Sequence, residues 1–104
     1  MNEISVTDVA AKHANGENFL LLDVREPDET TLGAVAWATI VPMGEIPERL
    51  GELPRDRPIY VVCRSGGRSA RVTQFLEQNG LDAANVAGGM QAWAAAVDPS
   101  IVVA

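Results

Sequence analysis

The sequence predicts an α/β protein, a sandwich in which helices cover both faces of a mostly parallel sheet. Short, almost continuous apolar runs at 18–24 (NFLLLDV) and 57–63 (RPIYVVC) are typical of strands buried on both faces. Segments with helical periodicity alternate with these runs, most clearly at 68–80. Helices between buried strands are the usual crossovers of a parallel sheet, so both observations predict the same architecture.

The N-terminal half is predicted to contain one helix and two strands. Residues 5–16 predict a capped helix, with Ser5 or Thr7 as the N-cap and Gly16 just past its end. The first buried strand follows this helix. The apolar segment at 33–42 predicts a second strand, which its final proline closes.

The C-terminal half is predicted to alternate strand and helix. Residues 44–53 predict one or two helical turns interrupted by proline, ahead of the buried strand that ends at the cysteine. The helix at 68–80 finishes on a glycine, which suits its C-cap. A fourth strand with a glycine turn is predicted at 83–89, and a last helix at 90–97.

Composition narrows the class of protein. The 104 residues predict a single domain spanning 1–104. A net charge of -6 argues against nucleic acid or a membrane as partner, because phosphate groups repel an acidic surface. One cysteine excludes an internal disulfide and a multi-cysteine metal site, and neither a metal nor a cofactor is predicted. The N-terminus lacks signal-peptide features and the longest apolar-rich stretch, 32–43, is too short to cross a bilayer, so we expect a soluble, cytoplasmic protein.

The only cysteine, Cys63, stands where a buried strand gives way to the next helix. Sites in parallel sheets form beyond the carboxyl ends of the strands, and this residue lies at such an end. A lone cysteine is often an inert core residue. That interpretation leaves the glycines and arginines of the stretch 63–71 unexplained, so a functional thiol is favoured.

The residues after the cysteine have the composition of an anion-binding loop. Gly66 and Gly67 are expected to adopt φ > 0 and to turn successive N–H groups inward. The N-terminus of the following helix adds free N–H groups and partial positive charge, which stabilise a thiolate over a thiol. Two arginines add charges whose fork geometry suits oxyanions. The predicted anion cradle comprises Arg64, Ser65, Gly66, Gly67 and Arg68.

Two further features are predicted to lie apart from this loop. His13, the only histidine, could form a Cys–His dyad, but its distance in sequence favours an exposed position instead. Trp37 and Trp93 are predicted to pack in the core rather than to bind a ligand.

Three segments of the chain together resemble a known family. The segments 21–29 (LLDVREPDE), 63–69 (CRSGGRS) and 86–93 (VAGGMQAW) are similar to the Asp-Val-Arg segment, the active-site loop and the closing Gly-Gly and tryptophan motif of single-domain rhodaneses. The resemblance to these rhodanese-like sulfurtransferases runs nearly end to end, and the joint spacing of the motifs is highly specific. It implies a single rhodanese-like domain with a three-layer sandwich fold, in which helices lie on both faces of a mostly parallel central sheet of about five strands.

The resemblance also implies persulfide chemistry at Cys63. Its thiolate would attack the outer sulfur of thiosulfate or of a persulfide donor, and from thiosulfate it would release sulfite. Loop amides of residues 64–68 would cradle the persulfide, while Arg64 and Arg68 would bind the small anionic donor. Cyanide, a cellular thiol or the thiol of a partner protein would then accept the sulfur.

Supporting roles are expected for Asp23, Arg25 and Ser69. Arg25 is expected to pair with Glu26 or Glu29 and so to hold the loop after the first buried strand.

The chain departs from the family pattern outside the cysteine loop. Thr30 stands where an aromatic residue is common, Ala34 where histidine is common, and Trp37 where glycine is common. These changes leave the thiol chemistry intact but alter a segment that could contact a substrate or partner.

Two alternative functions are weighed against the sulfurtransferase. One is a low-turnover sulfur-relay or regulatory binding module, because fold and motif do not fix turnover. The other is a cysteine phosphatase or arsenate reductase of related fold, in which five residues separate the cysteine from the arginine. Only four residues separate Cys63 from Arg68, and a shorter ring suits a sulfur atom better than a tetrahedral phosphate.

Overall fold

The computed structural model describes all residues from 1 to 104, which fold around one parallel sheet. The strands are ordered β1-β5-β4-β2-β3, and every neighbouring pair is parallel. Their bounds are β1 Glu3–Ile4, β2 Leu20–Asp23, β3 Thr39–Ile40, β4 Ile59–Val62 and β5 Ala83–Val86.

Four helices and two short 3₁₀ turns surround the sheet. The helices are α1 Val6–Ala14, α2 Pro27–Thr30, α3 Gly67–Gln78 and α4 Gly89–Ala96, and the 3₁₀ turns are Met43–Glu45 and Leu50–Glu52. Helix α3 and the 3₁₀ turns cover one face, whereas α1 and α4 cover the other. The predicted three-layer α/β sandwich is therefore confirmed.

The central strands are apolar on both faces because both faces are covered. On β4, Val61 packs in the cluster that contains Val72 and Leu76 of α3. Its neighbour Val62 points the opposite way, into the cluster that contains Trp93 of α4. This arrangement explains why the strand sequence is a continuous apolar run rather than an alternating one.

The predicted ends of two helices are confirmed in detail. Ser5, not Thr7, caps α1, and its Oγ accepts the N–H of Asp8 at 3.1 Å. At the end of α3, Gly80 adopts φ +80°. The next N–H, of Leu81, returns to a carbonyl in the last turn of the helix at 3.0 Å, as expected for a glycine C-cap.

The strand predicted at 33–42 is too long. Only Thr39–Ile40 pair with the sheet, at its edge, and both residues are exposed. The carbonyl of Gly33 accepts a hydrogen bond from the buried side chain of Arg25 instead of from a strand. Val35 is buried in the core although it belongs to a loop. Apolar content here reflects a loop packed on the core, which periodicity alone does not separate from a strand.

Two elements were not predicted. Strand β1 has only two residues and is too short to give a pattern. Helix α2 begins with Pro27 at its first position, and the side chain of Glu29 accepts the N–H of Glu26 at 3.1 Å. Both are N-terminal helix signals that the sequence contained. No helix has the length and apolar content needed to cross a bilayer.

Candidate active site

Cys63 is the first residue after β4, at the carboxyl edge of the sheet. Its side chain is 1% exposed and lies at the floor of the loop that leads into α3. The Sγ atom accepts the backbone N–H of Gly66 at 3.1 Å and the hydroxyl of Ser69 at 3.2 Å. The cysteine is therefore held by donors, which is the setting of a thiolate rather than of an inert core thiol.

Glycine is required at one of the two loop positions, not at both. Gly66 has φ +118° and forms the N-cap of α3. Gly67 is not among the residues with positive φ, and a Cβ there would meet no atom within 4 Å. The expectation of φ > 0 at Gly67 is wrong, because this residue is already the first of the helix.

A buried asparagine on strand β5 holds the cysteine loop by a hydrogen bond. Asn85 lies on β5, is 4% exposed, and donates from Nδ2 to the carbonyl oxygen of Gly66 at 3.2 Å. This contact anchors the Gly66–Gly67 peptide, which follows directly after the Ser65–Gly66 peptide whose N–H faces the sulfur. Sequence reasoning missed this residue, although a polar side chain in the otherwise apolar strand Ala83–Val86 was the available signal.

The surroundings of Cys63 favour its ionised form. Burial is the largest single influence and raises the pKa of the thiol. The hydroxyl and N–H of Ser69, with the N–H groups of Gly66 and Ser65, together outweigh burial and leave the pKa below its ordinary value. The main influences that lower the pKa of Cys63 are therefore neutral hydrogen-bond donors of the loop and of the first turn of α3. The sequence had predicted that the arginines would also stabilise the thiolate.

A second glycine turn closes over the loop. Gly89, with φ +60°, starts α4, and a Cβ there would lie 2.5 Å from the carbonyl oxygen of Cys63. The close approach lets Met90 N–H donate to that oxygen at 2.8 Å and Gln91 N–H donate to the carbonyl of Arg64 at 3.0 Å. The Gly-Gly motif therefore joins α4 to the backbone of the cysteine loop.

Arg68, the last residue of the predicted cradle, is paired with a carboxylate of the chain itself. Arg68 makes a two-pronged ion pair with Glu29, with contacts of 2.5 and 2.8 Å. The hydrogen bond from Arg68 lowers the pKa of Glu29 to about 2, and Glu29 in turn raises the pKa of Arg68. The partner is 39 residues away in sequence, so no local pattern predicted the pair.

Arg64 and Ser65 occupy the exposed part of the loop. The guanidinium of Arg64 makes neither an ion pair nor a hydrogen bond within the chain. Among the residues predicted to form the cradle, Arg64 thus carries the uncompensated positive charge.

Asp23 and Arg25 form a fully buried pair beside the site. Nη2 of Arg25 lies 2.7 Å from Asp23 and also donates to the carbonyl of Gly33 at 2.9 Å. The expectation that Arg25 pairs with Glu26 or Glu29 is wrong. Asp23 ends β2 and Arg25 lies at the bend just after it, where the Asp23 carboxylate also accepts the backbone N–H of Arg25 at 3.1 Å.

His13 lies in a different part of the molecule from the loop. Its ring stacks on Trp37 with centroids 3.7 Å apart and an angle of 4° between the planes. Trp37 in turn meets Trp93 edge to face at 5.8 Å, and Trp93 is buried in the face covered by α1 and α4. The thiol packs on the opposite face, so the structure does not bring His13 and Cys63 together.

Fold and loop together define a class: an α/β protein with one activated cysteine at the carboxyl edge of a parallel sheet. A family model, the rhodanese-like domain, matches residues 6–96. The Bacillus subtilis protein named "Putative sulfurtransferase YtwF" is 37% identical over 99 residues, which cover 95% of this chain and 96% of that protein. A sulfurtransferase of Allochromatium vinosum is 39% identical over 90% of this chain and 89% of its own length.

Solved structures agree with these sequence matches. The crystal structure of a rhodanese-like domain protein from Staphylococcus aureus is 36% identical and has a TM-score of 0.88, covering 100% of this chain and 99% of that one. The chain belongs to the rhodanese-like family, and the proteins similar to it include the sulfurtransferase of Allochromatium vinosum and a Bacillus subtilis protein named "Putative sulfur carrier protein YrkF".

Proposed function

We propose that the protein is a sulfurtransferase that carries sulfane sulfur as a persulfide on Cys63. The donor is thiosulfate or a persulfide, and the acceptor is a thiophile such as cyanide or a thiol. One observation carries the proposal: a buried sulfur atom receives hydrogen bonds from the Gly66 N–H and the Ser69 hydroxyl.

The loop suits both chemical steps. The Cys63 thiolate attacks the outer sulfur of thiosulfate, the S–S bond of the donor breaks, and sulfite leaves with the electron pair. No proton is consumed, because the outer sulfur keeps its negative charge in the new persulfide anion and sulfite leaves as a dianion. The N–H and hydroxyl donors of the loop would stabilise that anion. The acceptor then attacks the same outer sulfur, the S–S bond to Cys63 breaks, and the Cys63 thiolate leaves with the electron pair and is regenerated.

Substitution of the nucleophile tests the proposal. Incubation with thiosulfate should increase the intact mass of the wild-type protein by one sulfur atom, and cyanide should remove this sulfur as thiocyanate. Cys63→Ser should show neither the mass increase nor thiocyanate production, because it lacks the only thiol of the chain. Mass spectrometry and a colorimetric thiocyanate assay measure both outcomes.

Two results would contradict this function. The first is the absence of a sulfur adduct with thiosulfate, with a glutathione persulfide and with a thiosulfonate. The second is Cys63-dependent hydrolysis of an aryl phosphate, which would support the phosphatase alternative despite the four-residue spacing between Cys63 and Arg68.

A sulfur relay is the second candidate, and the pairing of Arg68 with Glu29 favours it. This pair removes one of the two positive charges expected to bind thiosulfate. A relay would accept sulfur from a persulfide and pass it to a protein or low-molecular-weight thiol, with little turnover on thiosulfate and cyanide. Single-turnover loading compared with steady-state thiocyanate formation separates the two: rapid loading with slow turnover indicates the relay.

A further inference from the structure

We propose that Glu29 selects sulfur donors by charge, disfavouring a dianion such as thiosulfate relative to a monoanionic sulfane donor. This inference rests on the proposed function, because it concerns which donor reaches Cys63. It assigns a specificity role to a residue outside the cysteine loop.

The first support is the contact itself. Each carboxylate oxygen of Glu29 meets a different terminal nitrogen of Arg68, at 2.5 and 2.8 Å. Fork-to-fork pairing of this kind uses the two nitrogens with which arginine would otherwise hold an oxyanion. An incoming sulfonate group must therefore share Arg68 or displace the carboxylate.

The second support is that Glu29 is held in place rather than free to swing away. Its Oε1 also accepts the N–H of Glu26 at 3.1 Å, which ties the side chain to the start of α2. The Glu29 side chain is only 17% exposed. The pKa of its carboxyl lies near 2, so the negative charge is present at every physiological pH.

The third support is the balance of charge around the sulfur. Two arginines of the loop are offset by the Cys63 thiolate and by the Glu29 carboxylate, so the four groups sum to zero. Of the two arginines, Arg64 alone has no ion-pair partner. The Arg68–Glu29 pair has no net charge, so only Arg64 offsets the Cys63 thiolate, and the site offers no net positive charge to a second negative charge on the donor.

The test compares two donors that deliver the same sulfur atom. Thiosulfate transfers its outer sulfur and releases sulfite, and benzenethiosulfonate transfers its outer sulfur and releases benzenesulfinate. In both cases the thiolate forms one S–S bond while the donor's S–S bond breaks, and the leaving group takes the electron pair. The donors differ by one unit of negative charge.

Glu29→Gln is the informative variant, because the amide keeps the length and an acceptor oxygen but loses the charge. We expect kcat/KM for thiosulfate, divided by kcat/KM for benzenethiosulfonate, to rise roughly fivefold to tenfold. This magnitude corresponds to one unit charge acting on one extra unit charge about 4 Å away when the pair is screened almost as in bulk water. Added salt should reduce the difference between variant and wild type, since salt screens such charges.

Asp28→Asn is the matched control. It removes a negative charge from the adjacent residue of the same helix, but Asp28 is exposed and makes no ion pair or side-chain hydrogen bond. We expect its donor ratio to stay within about twofold of the wild-type ratio, as for an exposed and screened charge.

The outcomes separate this inference from the proposed function. If neither of these donors nor a glutathione persulfide places sulfur on Cys63, the proposed function fails. If both donors load Cys63 and the Glu29→Gln ratio equals the wild-type ratio, the function stands and the role of Glu29 is refuted. Partial misfolding of the variant would lower kcat/KM for both donors by the same factor and would not change their ratio. A ratio equal to that of wild type therefore counts against the inference even in a variant of low activity.

Discussion

At the scale of single residues, Ser69 lowers the pKa of the Cys63 thiol more than any charged neighbour does. Ser69 is fully buried, and its hydroxyl lies 3.2 Å from Sγ of Cys63. Among the groups that lower the pKa of the thiol, the Ser69 side chain has the largest effect. Sequence analysis placed this serine in a supporting role, whereas the geometry gives it direct contact with the sulfur.

Ser69→Ala should raise the pKa of Cys63, because burial of the thiol persists while a donor to the thiolate is lost. Sulfur loading at neutral pH should fall roughly tenfold, the order expected for one hydrogen bond to a charged group. The ultraviolet absorbance of the thiolate, followed against pH, measures the change directly. Ser100→Ala, on the exposed C-terminal segment, is the control. An unchanged titration curve in Ser69→Ala would show that the hydroxyl does not stabilise the thiolate.

At the scale of elements, the site depends on how α4 meets the loop between β4 and α3. Gly89 lets the first turn of α4 donate to the carbonyls of Cys63 and Arg64. Gly66 and Asn85 fix the same loop from the side of β5. The conformation of the loop that holds Cys63 therefore depends on three separate segments of the chain, namely the loop itself, the first turn of α4 and strand β5.

Gly89→Ala should destabilise the fold by about 2–4 kcal/mol, because the new Cβ meets backbone atoms that cannot move aside, in a region of φ that alanine avoids. Urea unfolding measures the loss. Gly51→Ala is the control, since a Cβ there meets nothing within 4 Å and its φ is not positive. A Gly89→Ala variant within about 0.5 kcal/mol of wild type would contradict the close approach of α4 to the loop.

At the scale of the whole molecule, two ion pairs lie near the carboxyl edge of the sheet, and one of them joins distant parts of the chain. Asp23 and Arg25 are buried beside β2, and Glu29 connects α2 to Arg68 on α3. The second pair makes the stability of the molecule depend on pH. The folded pKa of Glu29 is near 2, below the ordinary value of a glutamate in an unfolded chain.

A carboxyl with a lowered folded pKa stabilises the fold above its unfolded pKa, and this contribution is lost as pH falls through the folded pKa. We expect wild type to lose about 1 kcal/mol more than Glu29→Gln between pH 5 and pH 2.5, a modest value because water screens the pair. Urea unfolding at both pH values measures the difference. Parallel losses in the two proteins would show that the pair does not stabilise the fold.

The fold could be predicted from sequence where the signal is local. Apolar runs such as 57–63 are long enough to mark buried strands, and the caps at Ser5 and Gly80 are chemical signals confined to a few residues. The segment 33–42 failed because a loop packed on the core needs the same apolar residues as a strand. The positions of Cys63 and Gly66 followed from the alternation of strand and helix, since the end of a parallel strand is a fixed place in the fold.

The sequence by itself determined the layers of the sandwich, the family resemblance and the place of the lone cysteine, because each is carried by short patterns of residues and by their spacing along the chain. Only the tertiary structure decided the partners of the charges. It joined Arg68 to Glu29, turned Arg25 toward Asp23, and placed Asn85 under the loop. Such partners depend on which loops meet at one edge of the sheet. Loops that are close in space can be far apart in the chain, so no local or periodic pattern in the sequence predicts the contact.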